Sequence, residues 1–186
     1  MRTRRQSRHL VRMAVGIVIV VFSIWYLGYS QGVLSFKTTP RETVKTVRSS
    51  PPAELKIPNA KIDLRLDGGI IENGIWQISA KGGSYLVTGA YPGEGGNIII
   101  YGHNKWNILG RLKTVTKGQA IILVTQEGKE HKYQVENVMV VSPNEIEVVE
   151  PRNNEILTIY TCTGFLDRLR FVVVATPIDS EIQKPQ

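Results

Sequence analysis

From Ala53 onward the chain never sustains the three-to-four-residue apolar spacing of an amphipathic helix. It is built instead from short runs rich in β-branched and aromatic residues: "ELKIP", "SYLVTGAY", "GNIIIYGHN", "AIILVTQ", "KYQVENVMVV", "ILTIYTC" and "LRFVVVAT". Clusters of turn residues such as "DGG", "KGG", "PGEGG", "SPNE" and "PRNNE" separate them. Many short strands at this spacing predict a mainly β domain, a closed barrel or a sandwich, and periodicity alone does not choose between the two. "WNILGRLKTV" has room for a helical turn, and no internal repeat is present. The 186 residues hold one such domain plus extra segments, too few for two full domains.

Those extra segments lie at the front. No charged residue occurs from Met13 to Phe36, and "MAVGIVIVVFSIWYLGY" ends in Trp25, Tyr26 and Tyr29. With Leu10 and Val11 before it, this run approaches the ~20 apolar residues that a spanning helix needs, with aromatics at one interface. A cleaved signal peptide would have a shorter apolar core and an A-x-A-like site, and the sequence has neither feature. The expected layout is a basic cytoplasmic tail over 1–9, a single membrane anchor over 10–29, a polar linker over 30–52 and a domain over 53–186. The arginines before the anchor place the N-terminus in the cytoplasm and the domain outside.

Charge follows the same division. The whole chain is at +7, but the first 52 residues hold nine basic side chains against one acid, so the remainder sums to −1. A near-neutral domain offers no electrostatic footprint for nucleic acid. A single cysteine excludes an internal disulfide, a Cys-rich zinc site and a two-cysteine redox motif.

Few residues remain that could carry chemistry. In "LTIYTC" alternation sets Leu157, Ile159 and Thr161 on one face and Thr158, Tyr160 and Cys162 on the other, so the cysteine ends a strand on its more polar face. The plain alternative is an inert buried thiol. His103 closes the apolar run "NIIIYGH", whereas His131 sits among charges near a hairpin and reads as surface. In "RLRFVVVA" alternation puts Arg168 and Arg170 on one face and does not choose between them, but Arg168, nearer the turn and next to Asp167, reads as loop-facing and more solvated. An arginine there is either a charged strand edge or a cation that stabilises a thiolate and donates to an oxyanion.

"YGHN" around His103, Thr158-Ile159-Tyr160-Thr161-Cys162 at a strand end, and "RFVVVA" on the next strand together resemble the sortase family over Ala53–Pro177. The one small departure is Ile159, where the family signature prefers Leu. The resemblance implies an eight-stranded β-barrel with short helices, held at a Gram-positive cell surface by an N-terminal membrane helix. It also implies a transpeptidase that recognises a sorting signal of the Leu-Pro-x-Thr-Gly kind on surface proteins. Such an enzyme cleaves after Thr through a thioester and passes the acyl group to an amine of a cell-wall precursor or a pilin lysine. By position the nucleophile is Cys162, the acid/base His103 and the arginine Arg170, which a Val-rich run follows closely. No cofactor is required for this cycle. Some members carry a structural calcium, and Glu145, Glu147 and Glu150 fall in the corresponding loop, a sparse set for such a site. The competing readings are a cell-wall cysteine peptidase and an inactive membrane-tethered barrel used for adhesion or assembly. Papain-like peptidases place the cysteine before the histidine, and L,D-transpeptidases carry a Ser-x-Gly-type motif at the cysteine. This chain has neither pattern.

Overall fold

The computed structural model describes residues 12–25, 34–36 and 49–178. Two units divide the chain, Met1–Val33 and Leu34–Gln186.

In the first unit the described helix covers 12–25. It is apolar all round, with Val15, Ile17, Val18, Ile19, Phe22 and Ile24 all exposed. Among the described residues no helix is long and apolar enough to cross a membrane. The anchor expected over 10–29 extends beyond this helix into 10–11 and 26–29, outside the described residues, and the basic tail over 1–9 lies outside them altogether.

The second unit is mainly β, and of sandwich and barrel it is the barrel that forms. Its strands are β1 (Pro52–Ile57), β2 (Ile62–Gly69), β3 (Ile71–Glu72), β4 (Ile75–Trp76), β5 (Gly83–Leu86), β6 (Asn97–Gly102), β7 (Ala120–Thr125), β8 (Glu130–Val141), β9 (Ile156–Thr163) and β10 (Leu169–Pro177). Eight of them close in the order β1-β2-β5-β6-β9-β10-β8-β7, while β3 and β4 form a separate small hairpin. Single 3₁₀ turns punctuate the connections, including Gly110–Thr114 in the segment where a helical turn was expected. Of the linker expected over 30–52, residues 34–36 belong to this unit and Pro52 already starts β1.

Alternation works where one face meets solvent. β2 places Ile62, Leu64 and Leu66 inward and Asp63 and Arg65 outward. The inward residues of all the barrel strands, among them Leu55, Ile100, Leu123, Tyr133, Leu157, Ile159 and Val173, meet in one core. β6 does not alternate: every residue of "NIIIYG" is buried, and β9 is buried from Leu157 to Cys162. These two strands pair in parallel. Strands buried on both faces read as continuous apolar runs, so here the outer face of the barrel is covered as well.

Two connections form that cover. The segment between β2 and β5, which themselves pair in parallel, carries Trp76 onto the outer ends of Tyr101 and Tyr160. β8 and β9 both pair antiparallel with β10, one on each side, so the loop 142–155 must return along the length of the barrel, outside β10. Beneath these connections Thr158 and Val172 are fully buried, and so is Val149 of the loop. Asn97 clamps the loop down: its amide donates to the carbonyls of Val148 at 3.1 Å and Glu150 at 3.0 Å. Its carbonyl oxygen accepts from Thr158 Oγ1 at 2.8 Å.

Asn97→Ala should therefore strand one buried and two half-buried polar partners and cost about 1–3 kcal/mol. The expected signature is a lower urea midpoint at unchanged m-value. A change below ~0.5 kcal/mol would show that the loop is held by other contacts.

Candidate functional site

Cys162 stands at the end of β9 on the outer face, as alternation required, with Leu157 and Ile159 in the core behind it. A cysteine on the more polar face of a strand end would be expected to be partly exposed, but the residue is buried, at 3% exposure. Burial pushes the thiol up to about 12, against the opposing pull of Arg170 and Lys113, while Asp167 adds to the rise. The resting sulfur is a neutral thiol.

Arg170 is its cross-strand partner, directly opposite in the β9–β10 register. The guanidinium is buried, at 2% exposure. Nη1 donates to the carbonyls of Asp167 and Leu169, both at 3.0 Å, and Nη2 donates to the carbonyl of Ser35 at 2.9 Å. Nε has no partner. Arg168 behaves differently and corrects the reading that both arginines share a strand face. β10 starts only at Leu169, so Arg168 belongs to the turn after the 3₁₀ segment Phe165–Asp167, and it is exposed. Alternation never applied to it.

That turn is strained. Gly164 sits at φ +80°, and Leu166 and Asp167 lie in the left-handed region at φ +53° and +56°. Only glycine adopts such angles freely, and non-glycine residues there cost ~1–2 kcal/mol each. The turn brings Asp167 close enough to act electrostatically on both Cys162 and His103. The sequence reading gave Asp167 no role, since nothing in a linear pattern says which way a tight turn points its carboxylate.

His103 comes by the other neighbour of β9. The parallel ladder runs to Gly102↔Thr161, so the next residues on the two strands are His103 and Cys162. Tyr101 and Tyr160, two positions earlier, share the outer face and stack with ring centroids 5.6 Å apart. The imidazole is half-buried and its pKa is lowered, first by that burial and then by Lys105, with Asp167 opposing. At neutral pH it is therefore mainly the free base. His131 is not the surface residue expected. It is half-buried on β8 opposite Leu123 and feels Glu155, which precedes β9. It thus lies at the other barrel end, about 20 Å away along β9 at ~3.3 Å per residue.

An aromatic platform completes the site. Trp76 meets Tyr101 and Tyr160 edge-on, and Phe36 meets Tyr160 edge-on at 5.0 Å. Tyr101 donates its hydroxyl to the carbonyl of Gln77 at 2.7 Å. Gly69 makes room for this, because a Cβ there would collide with the same hydroxyl oxygen. Sequence reading missed Trp76 and Phe36; the available signal was their isolation as aromatics in otherwise polar, strand-poor stretches.

The acids named for calcium do not converge on a site. Glu145 caps its own turn, accepting from Ser142 N at 2.7 Å. Among the described residues no group of three His, Cys, Asp or Glu side chains is placed to hold a metal ion.

A thiol, an imidazole and a buried guanidinium at one end of three adjacent strands are suited to cysteine-based acyl transfer. A sortase-domain family model matches residues 55–178, and the chain belongs to the sortase family, a family of cysteine transpeptidases. Sortase A of Bacillus anthracis is 34% identical over 83 residues, which make up 43% of this chain and 39% of that protein. The solved sortase A from Corynebacterium diphtheriae superposes with a TM-score of 0.58 at 24% identity, over 76% of this chain and 66% of that one. The Listeria monocytogenes sortase A gives 0.58 at 21% identity, over 70% and 89%. At these identities the two structures speak for the fold.

A thiol held near 12 makes a direct prediction. The rate at which a methanethiosulfonate reagent modifies Cys162 should climb about tenfold per pH unit from about pH 7 to about pH 10, as the thiolate fraction does. A plateau below about pH 9 would mean an ordinary thiol.

Proposed function

We propose that the chain is a sortase-type transpeptidase in which Cys162 is the nucleophile, His103 the proton carrier and Arg170 the oxyanion donor. Its donor substrate is a C-terminal sorting signal of the Leu-Pro-x-Thr-Gly kind, cut between Thr and Gly. Its acceptor is an amine of a cell-wall precursor or a pilin subunit. The observation that carries this reading is the placement of Arg170. A buried guanidinium stands opposite the only cysteine, with Nη1 and Nη2 on three backbone carbonyls and Nε unmet.

With a thiol and a neutral imidazole at rest, the first step in this reading is movement of a proton from sulfur to imidazole. His103 takes the thiol proton as sulfur attacks the Thr carbonyl. The oxyanion that forms receives N–H groups from the Arg170 guanidinium. Collapse breaks the Thr–Gly bond, and the imidazolium protonates the departing glycine amine. The thioester remains, and His103 is again neutral. It then deprotonates the incoming amine, whose nitrogen attacks the thioester; the new amide forms and sulfur leaves, recovering the proton from His103. The dry setting of Cys162 favours the amine over water at this second step.

The helix over 12–25, apolar on every side, supports single-pass anchoring at the cell membrane with the domain outside, because a helix with no polar face has no place on a soluble surface. Protease added to cells stripped of their wall should digest the domain and spare the N-terminal tail. The reverse pattern would invert the topology and remove the substrate.

Turnover of a fluorogenic Leu-Pro-x-Thr-Gly peptide with an added amine, followed by mass spectrometry, tests the roles. Cys162→Ala should abolish cleavage without unfolding the barrel. His103→Ala should remove nearly all turnover and His131→Ala little. Arg170→Ala should cost about 10²–10³ in rate, with little recovery in Arg170→Lys, which lacks the planar fork. The exposed Arg168 should lose less than about tenfold on replacement by Ala. Equal losses at His103 and His131, or a larger loss at Arg168 than at Arg170, would overturn the assignment.

A further inference from the structure

Among the described residues the two most exposed large apolar side chains are Phe165 at 80% and Trp106 at 76%. Both stand further into solvent than any described side chain of the all-apolar helix over 12–25, where Val18 reaches 67%. They belong to one place. The parallel β6–β9 ladder runs to Gly102↔Thr161, so the loops that leave these two strands start side by side. Trp106 lies as far past Gly102 on one loop as Phe165 lies past Thr161 on the other. Leu166 and Leu169 extend the patch. The turn holds these side chains outward under strain, with Leu166 and Asp167 in the left-handed region at φ +53° and +56°.

Positive charge gathers on the same two loops. Lys105 precedes Trp106, and Arg111 lies over the Trp106 ring with Cζ 5.2 Å from its centroid. Lys113 is exposed and acts electrostatically on Cys162, and Arg168 is exposed beside Leu169. Against these four cations the two loops carry one carboxylate, Asp167, which is half-buried. The domain from Ala53 onward sums to −1, so this end is a positive cap on a near-neutral body. The acids that follow β8 leave from a strand two places removed from β9, and Glu145 is turned onto the backbone N–H of Ser142.

Exposed apolar patches of this kind mark a contact surface. A protein partner is met by a packed apolar centre inside a polar rim. Here the apolar groups are separate tips on two loops with cations around them, which is the composition of a surface that enters the headgroup layer of an anionic bilayer. A bilayer is also close by sequence. Only the eight residues 26–33 lie between the apolar helix and Leu34, a reach of at most about 30 Å when fully extended. The chain joins the domain at this same end, where Ser35 accepts from Arg170.

We propose that the rim formed by Trp106, Phe165 and Leu166, with Lys105, Arg111 and Arg168, docks on the headgroup layer of an anionic lipid bilayer, so that the site opens at the membrane surface. The contact stands on exposure, charge and placement, and it does not depend on the chemistry at Cys162. The apolar tips supply burial. The cations supply the preference for anionic lipid, about fivefold for each side chain near the surface.

The test uses the full chain reconstituted in vesicles of phosphatidylcholine, alone or mixed with phosphatidylglycerol, whose acyl chains are brominated near the headgroup. Bromine quenches tryptophan only on close approach. Subtracting the emission of a Trp106→Phe variant in the same vesicles removes Trp25 and the buried Trp76. Trp106 should be quenched in the phosphatidylglycerol vesicles and not in phosphatidylcholine alone. Salt at about 1 M, where screening acts within ~3 Å, should restore its emission. The double variant Lys105→Gln, Arg168→Gln keeps every apolar tip and should lower the ratio of docked to free domain about 25-fold. Both changes are at exposed positions, and unchanged Trp76 emission confirms the fold. Unquenched Trp106 in phosphatidylglycerol vesicles overturns the proposal. If alkaline carbonate still fails to strip that chain from the vesicles, the membrane anchor stands without the docked rim. Equal quenching in both lipids, insensitive to salt, also overturns it, because the cations would then contribute nothing. So does shielding of Trp106 that follows the protein-to-lipid ratio rather than lipid charge, which would assign the rim to a second copy of this chain.

Discussion

The parallel pairing of β6 with β9 governs the rest of the molecule. It aligns the C-terminal ends of two strands that are far apart in sequence, so His103 and Cys162 leave the sheet side by side. Parallel neighbours cannot be joined by a tight hairpin, and their connections must travel over a face. Here the β2–β5 and β8–β9 connections spread across the outside of the barrel and bury the site that the β6–β9 pairing creates.

Dryness sets the electrostatics. A thiol among apolar walls resists ionisation, and a neighbouring guanidinium reduces that resistance without abolishing it. The imidazole is pushed toward its neutral form by the same burial. Both groups then rest uncharged, and charge develops only as a substrate arrives. Arg170 is the exception, a guanidinium cation nearly without exposure. It is tolerable only because three backbone carbonyls surround it, two from its own turn and one from Ser35. Two of the three acceptors are local and fixed, and the third is borrowed from a segment more than a hundred positions away in sequence.

Alternation in "LTIYTC" placed Cys162 outward correctly, because a pleated strand with one face in a core leaves no freedom in the other. The continuous burial of "NIIIYG" was also legible, as a run too apolar for a one-sided strand. Alternation did not apply to Arg168, which lies in the turn before β10 and is exposed, in keeping with its place beside Asp167. The reading failed at Cys162, where a polar face was equated with a wet one. Thr158 and Tyr160 look polar in a list, yet Thr158 spends its hydroxyl on Asn97 and Tyr160 is walled in by three aromatic rings.

The sequence by itself determined the mainly β class, the apolar N-terminal segment, the near-neutral domain and the three residue types at strand ends, because these depend on local period and composition. Tertiary structure decided which arginine faces the thiol, which histidine stands near it and what lies over both. Those outcomes depend on register and crossover, which bring together residues separated by up to 135 positions, as Ser35 and Arg170 are. No local pattern encodes such a contact, since its energy exists only after the barrel has closed.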